Sequence, residues 1–394
     1  MKKYGLGALA MVGALAIAGC SCNKGDLTGN AKIIDEAKNY SVEKLAELAK
    51  GETGKFTVYS TSSKTANALS AFCTKYEISG CEAVQYNDYA LYDKLSREID
   101  GNVENGVDVA LTQDGLTLKT TMVDTGYLIN YNPVVEGAKT SDLYAFMYYV
   151  KAIGISDEVT GDDVLTNIWQ LTETTNNSFF KSPLEELINM SFLTQLTTDE
   201  WAIKLGNAYK TWKNVDDAGL TAALTYTDTK GKTYTYENAG YMFVDKLMKN
   251  VNFMSSENDI SSAVVDASIP TYGFGAYGKY VKKSNYTTAK TLAGYSYFVY
   301  HMYAQISKNT DRPYTSMLFI NYISTQEGAD FWAKKSIGPG AYSTNTTYVS
   351  DQVETLQSVL DNAVVEDVDA ILNAPKRVEY FITNSVTSNK KKLK

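Results

Sequence analysis

The sequence has little of what metal sites and nucleophilic catalysis usually require. His301 is the single histidine among 394 residues, and only four cysteines are present. No paired cysteine and histidine ligands with the spacing of a zinc site occur, and one histidine leaves none to spare for a serine-based triad. Since His301 lies in the apolar run 300–306, we expect it to be a packed structural histidine. The sequence therefore excludes histidine-rich metal sites and shows no catalytic machinery.

Positive charge and long apolar runs are also scarce. The chain carries a net charge of -8 and has a pI near 5.0. Because a nucleic-acid-binding surface is basic, we exclude nucleic acid as a partner. Beyond the N-terminus no apolar run is long enough to span a bilayer. The length predicts two domains, and we expect them to form a soluble globular body.

The N-terminus has the pattern of an export signal. Lys2 and Lys3 precede an apolar run over residues 6–18, and small residues stand directly before Cys20. This run is shorter than the roughly 20 residues of a membrane-spanning helix. We therefore expect residues 1–19 to be a signal peptide and Cys20 to become the lipid-carrying first residue of the mature chain. The pattern predicts a protein anchored by lipid to the cell membrane and facing the periplasm or the exterior.

An exported location favours disulfide formation. Cys73 and Cys81 are eight positions apart, near the end of one predicted helix and the start of the next strand. In an oxidising compartment this pair is a candidate disulfide. Cys22 has no evident partner in the sequence.

A short strand that runs into a hydroxyl-rich helix start organises the chain. Residues 56–59 are β-branched or aromatic, and apolar residues then recur with helical spacing as far as residue 72. The junction consists of Ser60, Thr61, Ser62 and Ser63. The free backbone N–H groups of a helix start attract anions or oxygen-rich ligands. Alternatively, these serines only cap the helix.

The strand and helix signals alternate after this stretch, which is typical of an α/β fold with a parallel sheet. Residues 20–50 are predicted to form a lipid-anchored tether and a short helix, and further strands are predicted at 82–86 and 107–112. Gln113 and Asp114 follow the second of these strands. Ligands bind beyond the carboxyl ends of such strands, so the loop 60–63 and the loop 113–114 should face one cleft.

Two aromatic and apolar runs are predicted to cross between two lobes. The first covers residues 143–155 and the second covers 295–303. They place residues 51–145 and 296–394 in the first lobe and residues 146–295 in the second. In the second lobe, Ser182 is predicted to cap a helix over 183–196, because Pro183 suits the first helical position.

Five parts of the sequence, taken together in their order and spacing along the chain, resemble the extracellular solute-binding proteins of ABC importers. The resemblance is to the ferric-ion-type branch with a type II periplasmic-binding-protein fold, and it covers most of the chain after residue 50. The residues that carry it are 56–60, 107–115, 167–172, 312–322 with 327–328, and 337–343. It implies two α/β lobes, each a mixed sheet flanked by helices, joined by two crossing strands. It also implies a monomer that holds one ligand in the cleft and delivers it to a membrane permease.

The resemblance also implies ligand contacts from both lobes. These are Ser60, Thr61, Ser62, Gln113 and Asp114 from the first lobe and Ser182 from the second. Ferric-binding relatives present two adjacent tyrosines from the second lobe, whereas the adjacent pair here, Tyr148 and Tyr149, lies in the first crossing strand. Tyr277 and Tyr280 are the nearest substitutes, and Tyr277 is flanked by glycines that leave the backbone open to a ligand.

The chemistry of these residues leaves the ligand open. Tyrosine is abundant, with 30 residues; phenolates bind Fe³⁺, and phenol faces stack on sugars or cations. Ferric iron as transported ligand, a small phosphate-like anion, and a sugar or polyol all fit hydroxyls, Gln113, Asp114 and tyrosines. We expect no other cofactor and no enzymatic activity; the alternative is a secreted hydrolase that uses Asp114 with a second carboxylate.

Overall fold

The structure is a computed structural model that describes residues 27–227, 231–280 and 286–389. Cys20, Cys22 and the predicted signal peptide lie outside the described residues. Within the described ranges, no helix is both long and apolar enough to cross a membrane.

Strands form the centre of the molecule. In chain order they are β1 (Phe56–Ser60), β2 (Cys81–Gln85), β3 (Val109–Thr112), β4 (Leu128–Asn130), β5 (Ala145–Ser156), β6 (Asn177–Lys181), β7 (Thr225–Thr227), β8 (Thr233–Thr235), β9 (Asn252–Met254), β10 (Thr271–Ala276), β11 (Tyr286–Thr288), β12 (Tyr297–Ser307), β13 (Ala341–Ser343) and β14 (Ala363–Val365).

Helices flank these strands. The α-helices are α1 (Gly29–Ala37), α2 (Val42–Ala49), α3 (Thr65–Tyr76), α4 (Asp88–Asp100), α5 (Gly115–Thr117), α6 (Leu187–Gln195), α7 (Asp199–Lys213), α8 (Asp217–Ala223), α9 (Ala239–Asn250), α10 (Glu257–Val265), α11 (Tyr277–Tyr280), α12 (Pro313–Ile323), α13 (Gln326–Ala333), α14 (Leu356–Leu360), α15 (Val368–Leu372) and α16 (Arg377–Thr387). A π-helical turn (Leu118–Val123) and two 3₁₀ turns (Gly161–Asp163 and Ile168–Thr172) complete them.

One mixed sheet runs through the molecule. Among the described residues its order is β2-β1-β3-β12-β5-β10-β6-β9, with β4 and β14 added to β12, and β11 and β13 added to β5. The strands β1, β2 and β3 are parallel to one another, as are β6, β9 and β10. These two parallel groups are the sheets of two lobes. All five residues of β1 are buried, as expected of a parallel strand that is covered on both faces.

Each lobe has its own aromatic core. In the first lobe the rings of Phe72 and Phe319 meet edge to face with centroids 5.1 Å apart. In the second lobe Trp169 packs edge to face on Phe243 at the same centroid distance of 5.1 Å. Because burial of each aromatic side chain contributes a few kcal/mol, the two lobes are stabilised around separate centres.

Two long antiparallel strands, β5 and β12, connect the lobes and confirm the predicted crossings. Their register pairs Tyr300 with Tyr149 and His301 with Tyr148. Since neighbouring residues of a strand point to opposite faces, Tyr149 and Lys151 share one face, while Tyr148 lies on the other. The face that carries Tyr148 and His301 borders a groove between the lobes.

Residues 27–40 do not form the predicted tether. Instead, α1 is docked on the first lobe, where Ile34 and Ala37 are buried. Asn30 Nδ2 donates to the carbonyl oxygens of Lys308 at 2.9 Å and Thr310 at 2.7 Å. The segment is mostly polar, which is why it was predicted to be a tether. Its few apolar residues nevertheless have the spacing of one helix face and pack on the lobe.

The C-terminal helix also differs from its predicted place. We assigned residues 296–394 to the first lobe, but α16 packs against α9, and Val378 and Ile382 are buried in the second core. Ser385 Oγ donates to Asp245 Oδ1 at 2.7 Å, which ties the last helix to that lobe. The sequence of α16 predicts an apolar face, but an apolar face can pack on either lobe, so its position could not be predicted.

Cys73 at the end of α3 and Cys81 at the start of β2 are joined by a disulfide, with Cα atoms 6.7 Å apart. The bridge closes the short connection between the two elements and lies at the outer edge of the first lobe's sheet.

Candidate functional site

The hydroxyl-rich loop lies at the carboxyl end of β1, where it was expected, but much of its bonding capacity is used internally. Ser60 is buried, and its Oγ accepts from Ser62 N at 3.0 Å and Thr65 Oγ1 at 2.7 Å. Ser62 Oγ accepts from Lys64 N at 3.3 Å and Trp332 Nε1 at 3.2 Å. The two serines therefore stabilise the loop conformation.

Thr61 differs from its neighbours. Its backbone N–H donates to the Leu111 carbonyl at 3.2 Å, which fixes the loop against the end of β3. Its Oγ1 is buried and has no hydrogen-bond partner among the described residues. Because a buried hydroxyl usually has a partner, this Oγ1 is a polar atom that the loop itself does not satisfy.

The loop 113–114 connects the lobes. Asp114 has φ 63° and starts α5, and its Oδ2 accepts from Thr117 N at 3.2 Å. Its Oδ1 accepts from Ser191 Oγ of α6, in the second lobe, at 2.5 Å. Burial, opposed by these hydrogen bonds, raises the pKa of Asp114 to about 6. Asp114 is thus a structural tie between the lobes, whereas Gln113 lines the cavity beside it.

Ser182 does not cap a helix. Its Oγ accepts from Leu184 N at 3.2 Å within a turn, and α6 begins only at Leu187. The residue before α6 is Glu186, whose side chain makes no cap. The serine and proline therefore lie in a turn before the helix and not at its start, where the sequence pattern predicts them. Ser182 is also not among the residues that line the cavity.

The two candidate tyrosines are separated from the cleft cavity. Tyr280 is fully buried in an apolar cluster of the second lobe, and its hydroxyl donates to the Gly273 carbonyl at 2.7 Å. Tyr277 packs edge to face on Tyr297, with centroids 6.4 Å apart, and lies against Gly340. Neither side chain lines the cavity between the lobes. The two tyrosines considered as ligands of ferric iron are therefore not brought together there.

A cavity of about 340 Å³ lies between the lobes, at the carboxyl ends of β1, β2, β3 and β6. This volume is near the lower end for small-molecule sites. The first lobe contributes Thr61, Gln85, Tyr86, Asn87, Asp88 and Gln113, and the second contributes Lys181, Glu185 and Glu186. Only Thr61 and Gln113 of these were predicted. The others lie at or just beyond the ends of β2 and β6. The expectation that ligands bind at the carboxyl ends of parallel strands, applied to these two strands, would have identified them.

A buried ionic cluster lies next to this cavity, on the crossing strand β5. Lys151 is 1% exposed, and its Nζ lies 2.6 Å from Glu186 Oε2 and 2.7 Å from Glu257 Oε1. Asn189 Oδ1 accepts a further hydrogen bond at 2.8 Å. Burial would lower the pKa of Lys151, but the two carboxylates outweigh it and raise the pKa. The positive charge of Lys151 is thus fully compensated within the protein.

Asp88, the first residue of α4, is by contrast a charged group without a partner among the described residues. It is 9% exposed and lines the cavity, and no hydrogen bond or ion pair to its carboxylate occurs among the described residues. Burial raises its pKa to about 7, helped by the charges of Glu186 and Asp114 and opposed by those of Lys181 and Lys151. An uncompensated carboxylate at this depth is costly, which marks Asp88 as a ligand-binding candidate.

A larger groove of about 790 Å³ borders the other face of β5 and β12, near His301. Its central carboxylate, Glu366, is satisfied by the protein: it accepts from Gly115 N at 2.8 Å, His301 N at 3.0 Å and Tyr303 OH at 3.0 Å. His301 Nδ1 lies 3.1 Å from the same carboxylate. The expected structural role of His301 matches this contact. Because the buried carboxylate of this groove already has partners whereas that of Asp88 has none among the described residues, we place the ligand site in the smaller cavity.

No protein-family model matches the sequence, and no curated protein resembles it closely enough to be matched. Solved structures do match over most of the chain. AfuA from Actinobacillus pleuropneumoniae, a periplasmic binding protein solved with fructose-6-phosphate, is 14% identical, with 86% of this chain and 99% of that chain covered and a TM-score of 0.61. Iron-bound HitA from Pseudomonas aeruginosa is 12% identical, with 84% and 99% covered and a TM-score of 0.61.

A third similar structure is the Atu4243-GABA receptor. It is 13% identical, with 84% of this chain and 98% of that chain covered and a TM-score of 0.55. At these identities the likeness shows the fold alone, and it agrees with the two lobes, the crossing strands and the cavity between them. The chain has the two-lobed α/β fold of the type II periplasmic binding proteins, and ferric-binding proteins are among the structures it is similar to.

Proposed function

We propose that this chain is the solute-binding component of an ABC importer, which captures a small solute in the cavity between its lobes and delivers it to a membrane permease. The observation that carries the proposal is the composition of the cavity wall. Side chains of both lobes line it, among them Thr61 and Asp88 on one side and Lys181 on the other. A bound solute would therefore contact both lobes and favour their closed arrangement.

The connections between the lobes suit such a movement. Among the described residues, β5 and β12 are the continuous strands between the two parallel groups. The segment that leads from β14 to α16 is a third connection, where Gln195 of α6 donates to the Val365 carbonyl and accepts from Asp367 N. The hydrogen bond from Ser191 to Asp114 joins α6 to the loop 113–114. Rotation about the two strands would open the cavity and break this hydrogen bond. Because one buried hydrogen bond to a charged group contributes about 1.5–3 kcal/mol, solute binding can shift the balance between open and closed forms.

The side chains at the cavity favour a small polar organic solute over ferric iron. Iron is bound by HitA, and fructose-6-phosphate by AfuA. In this chain Tyr280 is occupied in an apolar cluster and Tyr277 lies outside the cavity. Within the described residues, no three histidine, cysteine, aspartate or glutamate side chains are arranged to hold a metal ion. A small anion, and a sugar or polyol, remain as alternative ligands.

The hydrolase alternative has less support. It requires Asp114 to act with a second carboxylate, but both oxygens of Asp114 already accept hydrogen bonds from Thr117 and Ser191. AfuA and a ferric-binding protein from Campylobacter jejuni, two of the similar solved structures, are binding proteins. We therefore propose a non-catalytic protein that acts as a monomer, exported and anchored through a lipid on Cys20.

The proposal is tested by binding without turnover. The purified full chain is incubated with a fractionated extract of small polar metabolites, and thermal stability is followed for each fraction. We expect one fraction to raise the melting temperature and reduce the radius of gyration in small-angle X-ray scattering, and its active solute to be recovered chemically unchanged. Conversion of the solute to a product would overturn the proposal in favour of an enzyme. For the lipid anchor, a Cys20→Ala variant should lose membrane association.

A further inference from the structure

We propose that the solute taken up by the cleft is a small organic ammonium compound whose positively charged nitrogen lies against Asp88. This inference rests on the proposed function, and it names the chemical class of the ligand. It is carried by the position of Asp88, the balance of charge around the cavity, and a second polar atom without a partner on the same wall.

The first observation is the bonding of Asp88. This residue lies at the start of α4 and is 9% exposed, yet among the described residues its carboxylate has no hydrogen-bond donor and no cation within ion-pair distance. A buried carboxylate without a counter-charge is costly, and proteins keep one only where a partner arrives or the group protonates. A ligand ammonium group would supply both the counter-charge and three N–H donors.

The second observation is the charge of the lining. Three carboxylates, of Asp88, Glu185 and Glu186, face one ammonium group, of Lys181. Lys181 Nζ already lies 3.5 Å from Glu186 Oε1. The nearby Lys151 adds no free positive charge, because Glu186 and Glu257 both contact it. An anionic ligand would meet an excess of negative charge here, whereas a cationic ligand would neutralise it.

The third observation is the unpartnered Oγ1 of Thr61, on the first-lobe wall that also carries Asp88. A hydroxyl oxygen can accept a hydrogen bond from an ammonium group, and this bond is weaker than one to a carboxylate oxygen. A neutral sugar or polyol could satisfy Thr61 but would leave the charge of Asp88 uncompensated. Of the ligand classes considered, a cationic donor is the one that compensates the charge of Asp88.

A matched set of five-carbon probes tests this assignment: 1,5-diaminopentane, 5-aminopentanoate, glutarate and xylitol. Each is titrated into the full chain by calorimetry at neutral pH, with thermal stability as a second readout. We expect the two amines to bind and to raise the melting temperature, and glutarate and xylitol to do neither. The inference is overturned if neither amine binds, or if glutarate or xylitol binds more tightly than both. Binding of glutarate or xylitol would leave the proposed solute-capture function intact.

Two variants localise the effect. Asp88→Asn keeps the shape of the side chain, and we expect it to lower amine affinity roughly 10- to 100-fold, the range for a hydrogen bond to a charged group. Asp93→Asn is the control, because Asp93 lies on the same helix with its side chain 57% exposed and paired with Arg97; we expect less than about a twofold change. Since Asp88→Asn removes an uncompensated charge, its melting temperature should not fall. Equal amine affinity of Asp88→Asn and the wild-type chain would refute the placement.

Discussion

Two buried carboxylates near the cleft, Asp88 and Asp114, differ in what surrounds them. Asp114 accepts hydrogen bonds from Thr117 and Ser191 and so acts as a tie between the lobes. Asp88 has no partner among the described residues and lines the cavity. Both have raised pKa values, about 6 for Asp114 and about 7 for Asp88, with burial as the largest cause. The same physical effect therefore accompanies a structural role in one case and a proposed binding role in the other.

The raised pKa of Asp88 predicts how amine binding depends on pH. An ammonium ligand requires the ionised carboxylate, so below pH 7 binding must first release the proton that the empty cleft retains. Affinity for 1,5-diaminopentane should be constant above about pH 8 and fall about tenfold for each pH unit well below 7. Calorimetric titrations between pH 5 and pH 8 measure this slope.

The control for this pH dependence has to separate Asp88 from the other charged groups that face it. These are Glu186, Asp114, Lys181 and Lys151. Asp114 titrates in a neighbouring range, with its pKa near 6, so part of the slope could come from it. In Asp88→Asn the weaker binding that remains should lose most of its pH dependence, and an unchanged slope would assign the effect to Asp114 instead.

At the scale of elements, Lys151 joins the crossing strand to α10 and to the residues on either side of the start of α6. Its replacement by methionine would leave Glu257 buried without a counter-charge and Glu186 with only the more distant Lys181, at 3.5 Å. We expect Lys151→Met to lower the free energy of unfolding by about 3–5 kcal/mol, as measured by urea denaturation with tryptophan fluorescence.

Lys181→Met is the matched control, because Lys181 contacts the same carboxylate, Glu186, at 3.5 Å but is 21% exposed. It should cost no more than about 1 kcal/mol. Adding Glu186→Gln and Glu257→Gln to Lys151→Met should recover more than half of the loss. Equal costs for the two lysine variants would show that the cluster does not stabilise the connection between strand and helices.

The disulfide belongs to the connection between α3 and β2. Replacing both Cys73 and Cys81 by serine should lower the free energy of unfolding by about 2–3 kcal/mol, since the bridge closes a short loop with a sequence separation of 8. Dithiothreitol should destabilise the wild-type chain by a similar amount and have no effect on the double variant. If reduction leaves the wild-type unfolding curve unchanged, the bridge contributes nothing to stability.

The order of elements could be predicted from the sequence, because strand and helix signals are local. The start of α3 after Ser60 and both crossing strands follow from apolar patterns of this kind. What could not be predicted is which polar atoms the protein uses for itself. The hydroxyls of Ser60 and Ser62 are engaged by Thr65 and Trp332, and the second of these partners is 270 residues away along the chain.

The binding candidates on the second lobe were missed for a related reason. Ser182 and Pro183 match the pattern of a helix start, but α6 begins only at Leu187. The turn this creates brings Glu186 to Lys151, a pairing that no local pattern indicates. Asp88 resembles an ordinary acidic residue in the first turn of a helix, which is favourable wherever it occurs. Only its enclosure between two lobes gives it a candidate role in binding.

At the scale of the whole molecule, two lobes with separate cores border the cavity of about 340 Å³. The strands β5 and β12 and the segment that leads to α16 connect them. We propose that this cavity holds a solute that the protein carries without converting it. A variant that fills the cavity tests the claim whatever the solute is. Thr61→Trp places a large ring at the cavity wall, while Ile203→Trp places it on an exposed position of α7 in the second lobe.

Native mass spectrometry of the gently purified full chain, with these two variants beside it, is therefore the most direct measurement. We predict that the wild-type chain and Ile203→Trp each carry one small solute of the same mass, which is released unchanged on denaturation. Thr61→Trp should fold and carry none. Retention of the same solute by Thr61→Trp, or release of a chemically altered one from the wild-type chain, would contradict the account.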